Sequence, residues 1–466
     1  MLDHSNKRIS RQVIILAIPI IFSNLSRVIM GLADMAMVSR IGVNALAATG
    51  MGSLLLWMVM SIGIGVRTAV QTVSSRRLGQ KKHPQCGNAL HNGIILAVCI
   101  AIPFTIIGTF YTAEIVGLFL EDKAVILLCT DYLFVGYFGL IFVLIGFAFQ
   151  GFYAGVEETR VHMVVTIVSN ILNVYLNAGF IYGSEHITQY FTDIGLPWLA
   201  SLWNWAPFPA LAVKGAAIAT LIASIFMVFH YTYFLFKNRV RKYRPHRMKF
   251  ILSNLVQQVK LGLPIGITEV GVMTGFSIFY KMIGIIGTVE LATSEVILNI
   301  AHASFMPAIG VGMAASTLVG KFLGEKKPDK ADKVVKESIK WSLLIMGSMG
   351  FLFIFAPHWI IPVFSTDPEI IQMGVPCLQI IGLLQYFDAV GITLFFVLTG
   401  AGNTRFPAMA DMIIVWFVFL PVSYYLGIVM EMGIVGAWLG FATWIIPLAV
   451  VMAFKVRTGT WKQIKV

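Results

Sequence analysis

Stretches of about 20 apolar residues, separated by short polar breaks, recur along almost the whole chain, and a helix of that length spans the roughly 30 Å hydrocarbon core of a bilayer. Twelve such segments can be drawn, at 13–39, 44–73, 91–120, 127–155, 161–183, 211–236, 258–284, 292–321, 336–364, 371–400, 406–430 and 433–456. They predict an all-α integral membrane protein. The first run, Val13 to Met37, is longer than the apolar core of a secretory signal and is not followed by a small-residue cleavage site and polar mature sequence. It is expected to be a retained span, and the absence of a targeting extension before it points to a prokaryotic plasma (inner) membrane.

The polar breaks carry a second pattern. "LGQKK" at 78–82 returns as "LGEKK" at 323–327, a shift of 245 places. At the same shift "LAIPI" at 16 meets "LGLPI" at 261, Phe119 and Asp122 meet Phe364 and Asp367, and "AGVEETR" meets "TGAGNTR", with Arg160 on Arg405. Loops and charges that stay in register mean an internal duplication. Beyond Arg160 the shift falls to 221, with Gly215 on Gly436, so the first half holds 24 extra residues within 184–210. Trp198, Trp203 and Trp205 in that insert would either cover the mouth of a cavity or, as their amphipathic rings favour, anchor at the interface. Six spans per half is an even number, so both halves enter the membrane in the same direction. Two six-helix lobes are therefore expected about a pseudo-two-fold axis along the membrane normal, with a site between them near the midplane. The expected organisation is a lobe at 1–236, a basic linker at 237–257 and a lobe at 258–466. In the repeated loops the glycine is expected to end a helix and the lysines to fix orientation.

Composition agrees with a membrane protein: 58% of the 466 residues are apolar and 12% charged, too little polar surface for a water-soluble fold. The net charge of +12 would suit nucleic acid, but most of the 34 Lys and Arg fall in the two tails and in alternate connections. Acids such as Glu114, Glu121, Asp193, Asp367, Glu369 and Glu431 occupy the other connections. That positive-inside pattern puts both termini in the cytoplasm. It also makes "KNRVRKYRPHRMKF" at 237–250 a linker between halves rather than a patch for anionic lipid or nucleic acid. Cys86, Cys99, Cys129 and Cys377 have no paired spacing, so neither a disulfide framework nor a zinc site is indicated. No HExxH, GxSxG or phosphate-binding loop is present, which argues against an intramembrane enzyme or an ATP-driven pump. Membrane lipid is an expected partner; nucleic acid and an obligatory protein partner are not.

An ionisable side chain deep in a bilayer costs about 2.5 to 3.5 kcal/mol on insertion scales, so each one calls for a reason. Asp34, in the first span, can hold a cation in one state and be neutralised in another, as coupling requires. The alternative is a structural pair with Arg27, two turns earlier on nearly the same face. Asp388, in the middle of the tenth span, has Val143 at its repeat position and is no shared feature; it could instead be a buried acid satisfied by hydroxyls or water. Glu269, five residues after Pro264, has Asn24 as its counterpart. Arg67 and Lys281 also lie in apolar context. Lys281 would either neutralise an acid across a cleft or, as its long stem favours, snorkel to the outer interface. Asp411, His302 and Glu295 are secondary candidates, with His302 expected to be a hydrogen-bonded structural residue. "LLLWMVMSIG" at 54–63 offers Met and aromatic side chains either for an adaptable pocket or for lipid contact and helix packing.

"LAIPIIFSNLSRVIMGLADMAMVSRIGVNALAATG" at 16–50, the two LG(Q/E)KK loops, "LNVYLNAGFIYG" at 172–183 and "YFDAVGITLFFVLTGAGNTRFPAM" at 386–409 together resemble the multidrug and toxic compound extrusion (MATE) family over nearly the whole chain. The resemblance implies a twelve-helix, two-lobed, V-shaped exporter that exchanges small organic cations or amphiphilic drugs for incoming protons or sodium ions. It implies no other cofactor, and no metal beyond sodium at the coupling residues. Asp34 matches the family's first-helix acid. Asp388 resembles an acid that one subgroup uses in its second lobe, with Glu269 as the companion, set earlier in its helix than the subgroup's own. Where another subgroup has an aspartate in the fifth helix, this chain has Asn177, one turn after Asn173. Amides can bind a cation or a protonated Asp34 but release no proton at neutral pH. The broader superfamily includes flippases for lipid-linked oligosaccharide and peptidoglycan precursors, which is the alternative function. Twelve spans rather than fourteen favour drug export.

Overall fold

A computed structural model describes residues 4–204, 207–244 and 250–466. Its twelve long apolar helices are α1 (Lys7–Ser39), α2 (Val43–Gly79), α3 (His83–Phe110), α4 (Lys123–Gly155), α5 (Thr159–Tyr182), α6 (Ala212–Leu235), α7 (Leu252–Ile286), α8 (Thr288–Gly324), α9 (Pro328–Phe355), α10 (Pro368–Gly400), α11 (Arg405–Val429) and α12 (Gly433–Arg457). No strand occurs among the described residues. The helices form two six-helix lobes, as the duplication requires. Trp205 and the linker residues 245–249 lie outside the described residues. Helix α7 begins at Leu252, inside the stretch expected as linker.

Helix limits differ most after α3 and α9, which were expected to run to 120 and 364 but stop at Phe110 and Phe355. Short helices follow, Thr112–Gly117 and Pro357–Ile360. Pro357 has no N–H to donate and pushes Ala356 out of the helical region, to φ −127°. Tyr111, at the repeat position of Ala356, makes the same bend at φ −117°. The apolar runs continue across both bends, so hydropathy alone cannot find them. The next helix is then capped in the same way in each half. Asp122 accepts N–H bonds from Ala124 (2.7 Å) and Val125 (3.3 Å), and its counterpart Asp367 accepts one from Glu369 (2.9 Å).

Each half has its own apolar core. Leu90, Leu140, Leu144, Phe152 and Tyr153 are buried together in the first, and Phe279, Ile297, Leu378, Phe419 and Trp438 in the second. The halves meet along α1, α2, α7 and α8, and the duplication is written into that seam. The Thr72 hydroxyl donates to the Thr399 carbonyl (3.0 Å), and Thr317 donates to the Ala154 carbonyl (3.1 Å). Both donor and acceptor pairs are related by the 245-residue shift. Arg76 donates to the carbonyl of Ala401 (2.9 Å), while Lys321, its repeat counterpart, grips both carboxylate oxygens of Glu157 at 2.8 and 2.9 Å. Gln71 adds an unpaired contribution, donating to Met313 O and to Thr317 Oγ1, both at 2.9 Å.

Helices α2 and α8 end at the glycines of the repeated loops, Gly79 and Gly324, as expected, and these glycines also do something more. The left-handed residues are Lys81 and Lys326, both at φ 59°, two places beyond the glycines. A Cβ on Gly79 would lie 2.0 Å from Lys321 O, and one on Gly324 would lie 2.4 Å from Arg76 O. The two loops therefore meet each other across the seam, backbone against backbone, and only glycine permits that approach.

The insert in the first half forms an amphipathic helix, Ser184–Asp193, and two short turns. Trp203 is buried there, with its ring 5.0 Å from Tyr175 and 5.6 Å from Phe191 in stacked geometry. It packs the insert onto α5, where its Nε1 donates to Tyr175 O at 3.1 Å. Trp198 is 67% exposed. Between the insert and Arg40 lies a pocket of about 420 Å³. Of the cysteines, Cys86, Cys129 and Cys377 are buried and Cys99 is exposed.

Candidate coupling sites

Asp34 stands on the wall of a chamber of about 410 Å³ whose lining comes from α1, α2, α4, α5 and α6. The chamber thus belongs to the first lobe alone rather than to a space between halves. The α5 asparagines are placed by helical periodicity: Asn173 and Asn177 are one turn apart on the buried stripe that faces α1 and α6. Asn177 Nδ2 donates to Asp34 Oδ1 (2.5 Å) and to Asn173 Oδ1 (3.1 Å), and Asn173 Nδ2 donates onward to Thr220 Oγ1 (3.2 Å). Asn177 Oδ1 is buried and has no hydrogen-bond partner. A carboxylate beside an unused amide oxygen is an acceptor-rich set, suited to an inorganic cation or to a proton carried on Asp34.

The proposed structural pair of Asp34 with Arg27 does not form. Among the described residues no ion pair within 4 Å joins them. Arg27 instead faces the chamber, with His162 and Tyr231 as electrostatic neighbours. These two, with Gln150 and Thr166, are lining residues that the sequence reading missed. The available signal was polar side chains interrupting apolar runs in "FAFQGFY" and "VHMVVT", a weaker flag than a carboxylate.

In the second lobe, Glu269 (α7), Asp388 (α10) and Asp411 (α11) are half-buried. Asp411 is the charged group that Glu269 and Asp388 share as a neighbour, and Trp444 Nε1 donates to it at 2.8 Å. Arg67, 7% exposed, reaches from α2 of the other half to become the cationic neighbour of Glu269. Lys281 is exposed, and no ion pair within 4 Å involves it among the described residues. Glu295 accepts from Tyr280 Oη at 2.8 Å. His302 is exposed and sits edge-on to Phe305 at 6.4 Å, and among the described residues it makes no hydrogen bond of the kind expected of a structural histidine. No cluster of three or more metal-ligating side chains occurs among the described residues.

A duplicated twelve-helix bundle with a carboxylate on a chamber inside the membrane region, and three more in its other lobe, has the build of a secondary transporter. The sequence profile of the MatE family matches residues 19–178 and 264–425, one match in each half, and the chain belongs to that family. A probable multidrug resistance protein NorM of Thermotoga maritima is 26% identical over 461 residues, covering 98% of this chain and 94% of the relative. One of Photorhabdus laumondii is 24% identical over 465 residues, covering 98% of each. Among solved structures, the eukaryotic MATE transporter AtDTX14 superposes with a TM-score of 0.84 at 18% identity over 98% of both chains. A MATE in the straight conformation gives 0.83 at 17% identity, over 98% of this chain and 97% of that one.

Proposed function

We propose that this MatE protein is a cation-coupled antiporter that exports organic cations or amphiphilic drugs by alternating access, with proton or sodium as the driving ion. The observation that carries the reading is Asp34, bonded to Asn177 beside an orphaned amide oxygen on the wall of a guest-sized chamber. An inorganic cation there and an organic cation in the chamber compete for the same negative charge. Because such coupling is reciprocal, binding of one weakens the other by the same factor. The Glu269, Asp388 and Asp411 group is a second place for the ion. If two monovalent ions enter per monovalent guest, a potential of 100 mV adds about 2.3 kcal/mol of drive; a one-for-one exchange feels only the concentration gradient. With both termini in the cytoplasm, the seam that joins the LG(Q/E)KK loops closes the inner side, and the chamber serves the outward-facing state.

The test is efflux of ethidium from proteoliposomes under an imposed proton gradient and, separately, a sodium gradient. One gradient is expected to drive it, and Asp34→Asn is expected to cut driven efflux at least about tenfold, since each 1.4 kcal/mol of coupling is tenfold. Driven transport by Asp34→Asn at the wild-type rate would end the reading. Movement of a lipid-linked precursor without either gradient would replace it by the flippase.

A further inference from the structure

A chamber built only for cations has no use for a guanidinium with no ion-pair partner among the described residues, yet Arg27 lines the same space as Asp34. We infer that the first-lobe chamber is bipolar, that Arg27 receives an anionic group of the guest, and that dipolar amphiphiles carrying an oxyanion as well as a cation are its preferred substrates. This rests on the antiporter reading and names the substrate class of that site.

The geometry follows from one helix. Arg27 and Asp34 lie seven residues apart in the unbroken α1, so they share a face and stand about 10 Å apart along the axis at 1.5 Å per residue. Among the described residues no carboxylate pairs with Arg27 within 4 Å. Its surroundings offer donors. Gln150 Nε2 lies 3.1 Å from His162 Nε2, and an amide nitrogen only donates, so that ring nitrogen is the acceptor. The ring proton is then on Nδ1, which donates to Tyr231 Oη at 2.5 Å and leaves the tyrosine hydroxyl its own proton to give. Asn170 Nδ2 likewise donates to Ser26 Oγ (2.7 Å), which frees the Ser26 hydroxyl proton. His162 in this arrangement is neutral and acts as a positioning residue for Tyr231. The Arg27 end is therefore rich in N–H and O–H groups, which suits a carboxylate or sulfonate gripped by the guanidinium fork. The Asp34 end presents a carboxylate to the chamber, with the unused Asn177 oxygen buried next to it. Between them the wall is apolar and soft, formed by Met30, Leu56, Trp57, Met60, Phe147 and Met227. A flat apolar body with opposite charges at its two ends matches this sequence of surfaces, and 410 Å³ falls within the usual range for small-molecule sites.

The test uses a matched pair of dyes on the purified full-length protein in detergent: rhodamine B, which carries a carboxylate and a delocalised cation, and its ethyl ester, which keeps only the cation. Fluorescence anisotropy titration gives both affinities. Wild type is expected to prefer rhodamine B, and Arg27→Gln to lower the rhodamine B to ester affinity ratio at least about tenfold. Arg27→Lys, which keeps the charge but loses the fork, is expected to recover part of the ratio, and size-exclusion profiles check that each variant is folded. A ratio near one in wild type, or one unmoved by Arg27→Gln, overturns the bipolar chamber while gradient-driven ethidium efflux still supports the antiporter. Failure of wild type to bind either dye, together with no driven efflux, brings down both.

Discussion

The sharpest test of the repeat is at Thr72 and Thr317, whose hydroxyls cross the seam to Thr399 O and Ala154 O. Valine at either position keeps the shape and removes the donor. The carbonyls left behind are not orphaned, because Thr399 O also accepts from Gly402 N (2.9 Å) and Ala154 O from Glu157 N (3.1 Å). The cost is then that of one ordinary hydrogen bond, about 1 kcal/mol, without the larger penalty of a stranded buried group. Thr317 Oγ1 also accepts from Gln71, which keeps Met313 O as an alternative, so Thr317→Val is expected to be somewhat the more costly. Together the two changes should weaken the closed seam by about 2 kcal/mol, or roughly 30-fold in the closed-to-open ratio. Spin labels at the exposed Lys82 and Lys326 report the separation of the two loops by double electron–electron resonance. The expected result is a long-distance population that grows from wild type through each single variant to the double variant. A double variant whose closed-to-open ratio stays within threefold of wild type would show that these bonds do not hold the lobes together.

Gly324→Val should prevent closure altogether, since its Cβ would meet Arg76 O at 2.4 Å with backbone on both sides; the same labels should show only the long distance, with helix content by circular dichroism unchanged. A persisting short distance refutes the close-approach argument. Trp203→Ala removes the ring that lies between Tyr175 and Phe191 and should cost the insert about 3 to 5 kcal/mol. Limited proteolysis should then cut within residues 184–204 much faster than in wild type, and unchanged cleavage there would mean the insert is held by something else.

The span count, the duplication and the repeat of the capping aspartates were legible because each is a property of the chain read against a membrane or against itself. Less legible was anything decided by what the other half brings. The glycines of the LG(Q/E)KK loops are the helix ends they look like in one dimension, but why they must be glycine is set by Lys321 and Arg76 arriving from across the seam. His162, Tyr231 and Gln150 passed unremarked because they carry no fixed charge that demands a partner, although the structure ties them into one network beside Arg27. Asp34 was visible through the cost of a carboxylate in an apolar helix, and its partner Asn177 through the resemblance. The link of Asp411 to Glu269 and Asp388 was not legible because it requires three separate helices to converge.

The duplication divides the molecule into parts that must stay symmetric and parts that need not. At the Thr72 and Thr317 bonds, donor and acceptor are repeat counterparts of one another's partners, so a change at Thr72 is only half of a change to that pair, and Thr317 still holds the equivalent place. The charged groups obey the opposite rule. At the 245-residue shift, Asp34 corresponds to Phe279, Arg27 to Val272, Glu269 to Asn24 and Asp388 to Val143. Phe279 is fully buried and packs against Phe419, Trp438 and Phe441, so where the first lobe has a polar chamber wall the second has a solid aromatic core. A joint shared equally by two lobes lets them separate as stiff bodies, while single-copy charges give each lobe its own ligand. On this division, losing one of the paired seam hydrogen bonds should tune the balance between open and closed, whereas one substitution among the charges should remove a function outright.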